Sequence, residues 1–286
     1  MKKYLSFVAF PHTLFAMPFA MLGFFLGVKA NGNTFHWLTL ALVILCMVFV
    51  RNSAMAFNRY ADSDVDAENP RTAKREIPSG KIKMQEALLF IILNCACFIL
   101  TTFFINRICF YLSPVALFVV LGYSYTKRFT HYSHLFLGLG MSLAPSGAYL
   151  AVTGHFDWLP ILLSLTVIFW GSGFDIIYSL QDEKFDKENK LFSIPVLLGS
   201  KNALRFSLLL HIICAAIVLS IGLYFYFGWL YWIGAIAFIS LLFFQHTIVH
   251  PNDLKKVNAA FFTTNSIASI VFTVFALMDA FLRHAI

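Results

Sequence analysis

The sequence predicts an all-α, polytopic membrane protein, and three observations carry that prediction. Hydrophobic residues make up 59% of the chain and charged residues only 12%, against about 45–50% and about 25% in a soluble domain. The apolar residues are gathered into nine long runs, and a bilayer span needs about 20 of them. Nearly all of the charge lies in the connections between those runs. Such a composition excludes a disordered chain, a nucleic-acid-binding tail and an ordinary soluble enzyme.

In chain order the runs are read at 5–28, 35–57, 84–105, 109–126, 134–153, 158–180, 203–227, 229–249 and 260–282. Met1 to Tyr4 lead straight into the first run with no small-residue cleavage site, so that run is read as a span rather than a removable signal. Pro18 and Pro145 fall inside runs, which a membrane bundle tolerates when neighbours re-satisfy the backbone. Short turns join runs 1–2, 3–4, 5–6 and 7–8. Long polar loops, about 59–83 and 181–202, join runs 2–3 and 6–7. Cys46, Cys95, Cys97, Cys109 and Cys214 all sit in apolar runs without a CxxC pair, and read as reduced packing residues. Residues 1–286 are expected to form one domain of two diverged halves, about 1–130 and 131–286.

The basic residues fix an expected topology. Seventeen of the 21 Lys and Arg, from Lys2 and Lys3 to Lys255 and Lys256, fall on one side of the nine-span arrangement. That side is expected to face the cytoplasm of an inner membrane, with the N-terminus and both long loops inside.

Ten of the 14 Asp and Glu fall in two windows: Asp62, Asp64, Asp66, Glu68 and Glu76, then Asp175, Asp182, Glu183, Asp186 and Glu188. The first reads N-x-x-x-D-x-x-x-D over Asn58, Asp62 and Asp66. The second reads D-x-x-Y-x-x-x-D-x-x-x-D over Asp175, Tyr178, Asp182 and Asp186. Steps of four and seven return to one helix face, so each window is expected to project a polar stripe from a helix end. A shift of 120 residues lays Asp62 on Asp182 and Asp66 on Asp186, as a diverged duplication would, with the two stripes facing each other. Facing carboxylates either share protons or bind cations. Oxygen ligands at a membrane surface suit Mg²⁺ shared with phosphate. Arg71, Arg75, Lys127 and Arg128 at the same level suit a diphosphate. A polyanionic head at the water boundary above an apolar interior describes an isoprenoid diphosphate.

The chain resembles the UbiA superfamily of intramembrane aromatic prenyltransferases. The residues that carry the resemblance are N-R-Y-A-D-S-D-V-D-A-E-N-P-R-T-A-K-R-E-I-P-S-G (58–80), Y-S-Y-T-K-R (123–128) and F-D-I-I-Y-S-L-Q-D-E-K-F-D (174–186). The resemblance implies nine transmembrane helices around a lipid-open cavity capped by two Asp-rich cytoplasmic loops. It also implies Mg²⁺-dependent transfer from a polyprenyl diphosphate. Asp62, Asp66, Asp182 and Asp186 become metal ligands and, with Asn58, Asp175 and Tyr178, the catalytic residues. Two positions depart from the pattern: Glu76 stands where many members have Pro, and Asp64 adds an acid.

Arg51 lies deep in the second run, seven residues before Asn58. An Arg at that depth is costly and marks a function by default. Members that prenylate 4-hydroxybenzoate have an Arg at this spacing, so the resemblance favours an aromatic carboxylate as acceptor in quinone biosynthesis, with Arg51 as its counter-ion. His12, in F-P-H-T-L-F-A-M-P-F-A, resembles a branch linked to menaquinone, whose acceptor would be 1,4-dihydroxy-6-naphthoate, and Arg51 does not separate the two. A transporter is the non-enzyme alternative, set aside because the acids lie at helix ends rather than the midplane. His246 and His250, four apart, form at most a weak metal pair. The expected partners are the substrates and the bilayer, with no nucleic acid and no protein partner.

Overall fold

The structure is a computed structural model that describes residues 2–8, 16–251 and 253–282, leaving aside the side chains of Lys2 and Leu5. His12 and Arg283 fall outside the described residues. The α-helices in chain order are α1 (Lys2–Phe7), α2 (Ala16–Ala30), α3 (Trp37–Ala61), α4 (Ser63–Glu68), α5 (Met84–Ile105), α6 (Arg107–Thr126), α7 (Ser133–Thr153), α8 (Trp158–Ser179), α9 (Glu183–Glu188), α10 (Ile194–Tyr224), α11 (Trp229–Ile248) and α12 (Asn265–Leu282). A 3₁₀ turn, Leu180–Asp182, joins α8 to α9, and a π-helical turn, Ala259–Thr264, leads into α12. No β-strand occurs among the described residues.

Eight segments among the described residues are long and apolar enough to cross a membrane, and the protein is a multi-pass membrane protein. The expected count of nine is therefore approximate: the first run is represented by the short α1 and the 15-residue α2, with residues 9–15 outside the description. Large apolar side chains such as Leu89, Phe103, Phe104 and Phe118 stay exposed on their helices. A bilayer, not water, is the solvent those faces suit.

The chain divides into two compact units. The first holds α1 and α3 to α6. Its apolar contacts form two patches, one of Phe7, Val8, Ala56, Ile82, Ala87 and Ile91, the other of Cys46, Phe98 and Leu117. The second unit holds α2 and α7 to α12. Its core is built on aromatics, with Phe19 and Phe238 in ring contact with each other and each with both Trp170 and Phe272. Close approach of α2 to α7 depends on Gly23, where a Cβ would meet the Pro145 carbonyl oxygen at 2.1 Å. Pro145 itself sits inside α7, as expected.

One boundary moved by nine residues. Hydropathy places the start of the seventh run at 203, yet α10 begins at Ile194. The polar stretch Ser200 to Asn202 hides the helix from a hydropathy reading. Local chemistry starts it: the Ser193 hydroxyl accepts from the Val196 N–H, and Pro195 sits in the first turn. Gly199 then breaks the helix at φ 74°, a conformation that costs glycine little.

Candidate active site

The first acidic stripe runs from α3 into α4: Asn58 lies in α3, Asp62 caps its end, and Asp66 lies in α4. The Asp66 N–H donates to the Asp62 carbonyl at 2.7 Å, so the four-residue step is one helical turn in fact. Asn58 Nδ2 donates to Asp62 Oδ2 at 3.2 Å. Both aspartates are nearly inaccessible, at 3% and 4% exposure. Arg75 reaches back from the following loop and places Nη1 2.9 and 2.8 Å from the two oxygens of Asp66. The Thr72 hydroxyl donates to the Asp66 carbonyl, which fixes the loop over the stripe. Arg71 is exposed, its backbone N–H held by the Asn69 side chain. Asp64 is exposed, away from the buried pair.

Glu76, the departure from the family pattern, has a structural partner set. It pairs with Arg59 and accepts from the Ser6 hydroxyl. Burial works to raise its pKa, but the Ser6 hydroxyl and the Arg59 guanidinium outweigh burial and hold Glu76 below the ordinary carboxylate value.

Arg51 is half-buried in α3, and Nη1 lies 3.4 Å from the Val8 carbonyl oxygen. Among the described residues no carboxylate pairs with Arg51.

The second stripe runs off the end of α8. Asp175 and Tyr178 lie in its last turns, Asp182 in the 3₁₀ turn and Asp186 in α9. Asp186 accepts from the Ser193 hydroxyl, and Asp182, Lys127 and His134 are the charged or titratable groups that act on it. The Lys127 carbonyl accepts from the Phe192 N–H at 2.8 Å, tying the basic pair to the loop that follows the acids. Arg128 is exposed.

His134 is the residue that sequence reasoning missed. It is buried, its Nδ1 lies 2.6 Å from Asp175 Oδ2, and its Nε2 accepts from the Ile194 N–H at 3.4 Å. Nε2 accepting means that Nδ1 carries the proton and donates to Asp175. Asp175 is thus held across α7 and α8. The signal was a His six residues after the basic pair Lys127-Arg128, at the start of an apolar run.

The weak metal pair of His246 and His250 does not form. Helix α11 ends at Ile248, so the helical four-residue step fails at His250, which lies in a small bridge to Asp253. His246 instead lies 2.9 Å from His211 Nδ1.

Among the described residues no three acid, His or Cys groups are gathered closely enough to hold a metal by themselves. The donors do fit an ion of the Mg²⁺ type, which commonly takes one or two carboxylates and completes its shell with phosphate oxygens and water.

Fold and site define a multi-pass helical membrane enzyme with buried carboxylates and guanidinium groups at the ends of its spans. Residues 16–267 match the model of the UbiA prenyltransferase family. The chain belongs to that family and is a prenyltransferase. The 4-hydroxybenzoate octaprenyltransferase of Paraburkholderia phytofirmans is 31% identical over 252 residues, covering 86% of this chain and 85% of the relative. The enzyme of the same name from Vibrio campbellii is 28% identical over 246 residues, covering 86% and 85%. Among solved structures, an apo UbiA homolog from Aeropyrum pernix K1 matches with a TM-score of 0.84 at 29% identity, covering 94% of this chain and 98% of that one. A UbiA homolog from Archaeoglobus fulgidus bound to DMAPP and Mg²⁺ shares the fold, with a TM-score of 0.77 at 22% identity over 98% of this chain and 100% of that one.

Proposed function

We propose that the protein transfers a polyprenyl group from polyprenyl diphosphate to an aromatic carboxylic acid of the 4-hydroxybenzoate type, with Mg²⁺, at the cytoplasmic face of an inner membrane. The observation that carries the acceptor is Arg51, a half-buried guanidinium in a membrane span with no carboxylate partner among the described residues. A charge at such depth calls for a counter-ion, and an acceptor carboxylate supplies one. The names of the bacterial relatives support the same class of acceptor.

Asp62 and Asp66 in one stripe, and Asp182 and Asp186 in the other, would hold divalent metal. When bound, the ion supplies charge neutralisation for the diphosphate. Asn58 orients Asp62, and Arg71, Arg75, Lys127 and Arg128 bind the phosphates. Tyr178 offers a phenolic O–H to the same leaving group. The allylic C–O bond breaks with its electron pair leaving on the diphosphate. The phenol ring attacks the allylic cation ortho to its hydroxyl, and the ring proton departs to a base, for which Asp175, fixed by His134, is the candidate. The basic residues on one side of the spans support the cytoplasmic placement.

The test is incubation of the purified protein with Mg²⁺, a labelled prenyl diphosphate and a panel of aromatic acids. Product with 4-hydroxybenzoate supports the reading. Product only with 1,4-dihydroxy-6-naphthoate, or only with acceptors that lack a carboxylate, overturns it.

A further inference from the structure

Asn265 is completely buried at the start of α12, and its side-chain amide makes every hydrogen bond it can. Oδ1 accepts from Trp170 Nε1 on α8 and from Gln245 Nε2 on α11, both at 2.8 Å. Nδ2 donates to the Ala260 carbonyl at 3.1 Å and to the Phe261 carbonyl at 2.8 Å. Two donors and two acceptor sites are all that an amide has, so its orientation is fixed. The bonded carbonyls belong to the π-helical turn Ala259–Thr264. A π turn holds one residue more than an α turn, and one residue rotates the helix face by about 100°. In an α-helical turn the Phe261 carbonyl would accept from the Asn265 backbone N–H; here that N–H donates to the Phe262 carbonyl, and the Asn265 side-chain amide takes the Phe261 carbonyl in its place. The side chain therefore supports the departure from the regular turn.

The wide turn determines where Phe261 points. Its ring lies 4.3 Å from the ring of Tyr178 and 5.4 Å from that of Phe174, centroid to centroid. Tyr178 sits between Asp175 and Asp182 on the second acidic stripe. Rotated by one residue, Phe261 would leave that ring.

We infer that Asn265 is a positioning residue for prenyl transfer, acting through the π turn and Phe261 to hold the Tyr178 phenol in register with the second acidic stripe. The inference rests on Tyr178 belonging to the active site as proposed above. Its mechanism is preorganisation: a ring with a locked rotamer keeps a donor where a loose one would sample several positions.

The test is a double-mutant cycle on the full-length protein in detergent, with melting temperature checked for each variant. Tyr178→Phe, Asn265→Leu and Phe261→Leu are compared singly, and the last two again in the Tyr178→Phe background. Phe261→Leu leaves the Trp170–Asn265–Gln245 bonds intact, so it reports on positioning even where Asn265→Leu does not fold. The expected result is a kcat at least tenfold lower in each single variant, with the acceptor KM unchanged, and less than a twofold further loss when Tyr178 is already Phe. Wild-type kcat in a folded Phe261→Leu protein, or losses that multiply in the double variants, would overturn the inference while leaving the active-site reading intact. Wild-type kcat in Tyr178→Phe itself would overturn both.

Discussion

Arg75 places a single guanidinium nitrogen within 2.9 Å of both carboxylate oxygens of Asp66. Asp66 is also a proposed metal ligand, so a divalent cation and Arg75 compete for the same oxygens. Arg75→Gln is expected to lower the Mg²⁺ concentration for half-maximal activity and to raise the KM for prenyl diphosphate by about tenfold or more. Losing one side of a buried charge-assisted contact costs roughly 2–5 kcal/mol. The two effects have opposite signs, and titrations of Mg²⁺ and of substrate separate them. Alanine at Asp62, Asp66, Asp182 or Asp186 should each cut turnover severely, and EDTA should abolish activity reversibly. Near-normal rates in any two of the four at saturating Mg²⁺ would remove the two-stripe metal clamp.

Arg51→Leu should weaken acceptor binding and spare prenyl diphosphate. The acceptor KM is expected to rise well over tenfold, since the lost charge pair is worth roughly 2–5 kcal/mol. Arg51→Lys should recover only part, because an ammonium makes no bidentate fork. A structural role through the Val8 carbonyl predicts a lower melting temperature and equal damage to both substrates. The decisive measurement is the pair of KM values on a variant of verified stability, and an unchanged acceptor KM refutes the anchor.

Glu76 gives a pH prediction with a definite sign. Its folded pKa lies below the ordinary value of 4.5, so the pair with Arg59 stabilises the protein fully above that value. The contribution is lost as pH falls from about 4.5 through the folded pKa, because there the unfolded chain binds more protons. Glu76→Gln should therefore lower the melting temperature at pH 7, by a break in a largely buried pair worth about 3 kcal/mol, and should flatten the acid limb of the stability profile. A variant as stable as the parent at pH 7 would show that the pair contributes nothing.

His134→Leu should reduce kcat, since Asp175 then loses the donor that fixes it and the Ile194 N–H loses its acceptor. Removing a partner from a buried polar group costs about 1–3 kcal/mol, so a drop in melting temperature should accompany the loss. His134→Gln retains a donor and should recover part of kcat. Full activity in a stable His134→Leu protein would show that Asp175 needs no support.

The spans and the one-turn step from Asp62 to Asp66 were legible in the sequence because each is a local signal. Runs of about 20 apolar residues and four-residue acid spacings survive without knowledge of what packs on them. What a local reading cannot supply is a partner from far along the chain. Glu76 stands out as a departure, but Ser6 is 70 residues away. Asp175 falls on the right helical step, yet its donor is 41 residues earlier. Asn265 sits in an apolar run with nothing to mark it, and its partners are 95 and 20 residues distant. The start of α10 escaped because capping by Ser193 overrides the hydropathy minimum that follows.

Trp37 and Trp158 are the exposed first residues of α3 and α8, and each of those helices ends in acids. Indole rings settle at the boundary between lipid and water. Helices of 25 and 22 residues put their far ends about 37 and 33 Å from those anchors, roughly one bilayer away. Each helix thereby carries its acids about one bilayer's thickness from its own anchoring indole. On the proposed reading of those acids, a prenyl donor meets them by diffusing in two dimensions, and its effective concentration is its mole fraction in the surrounding lipid. Diluting the protein and donor with inert lipid, at fixed amounts per volume, should slow the reaction as surely as removing substrate.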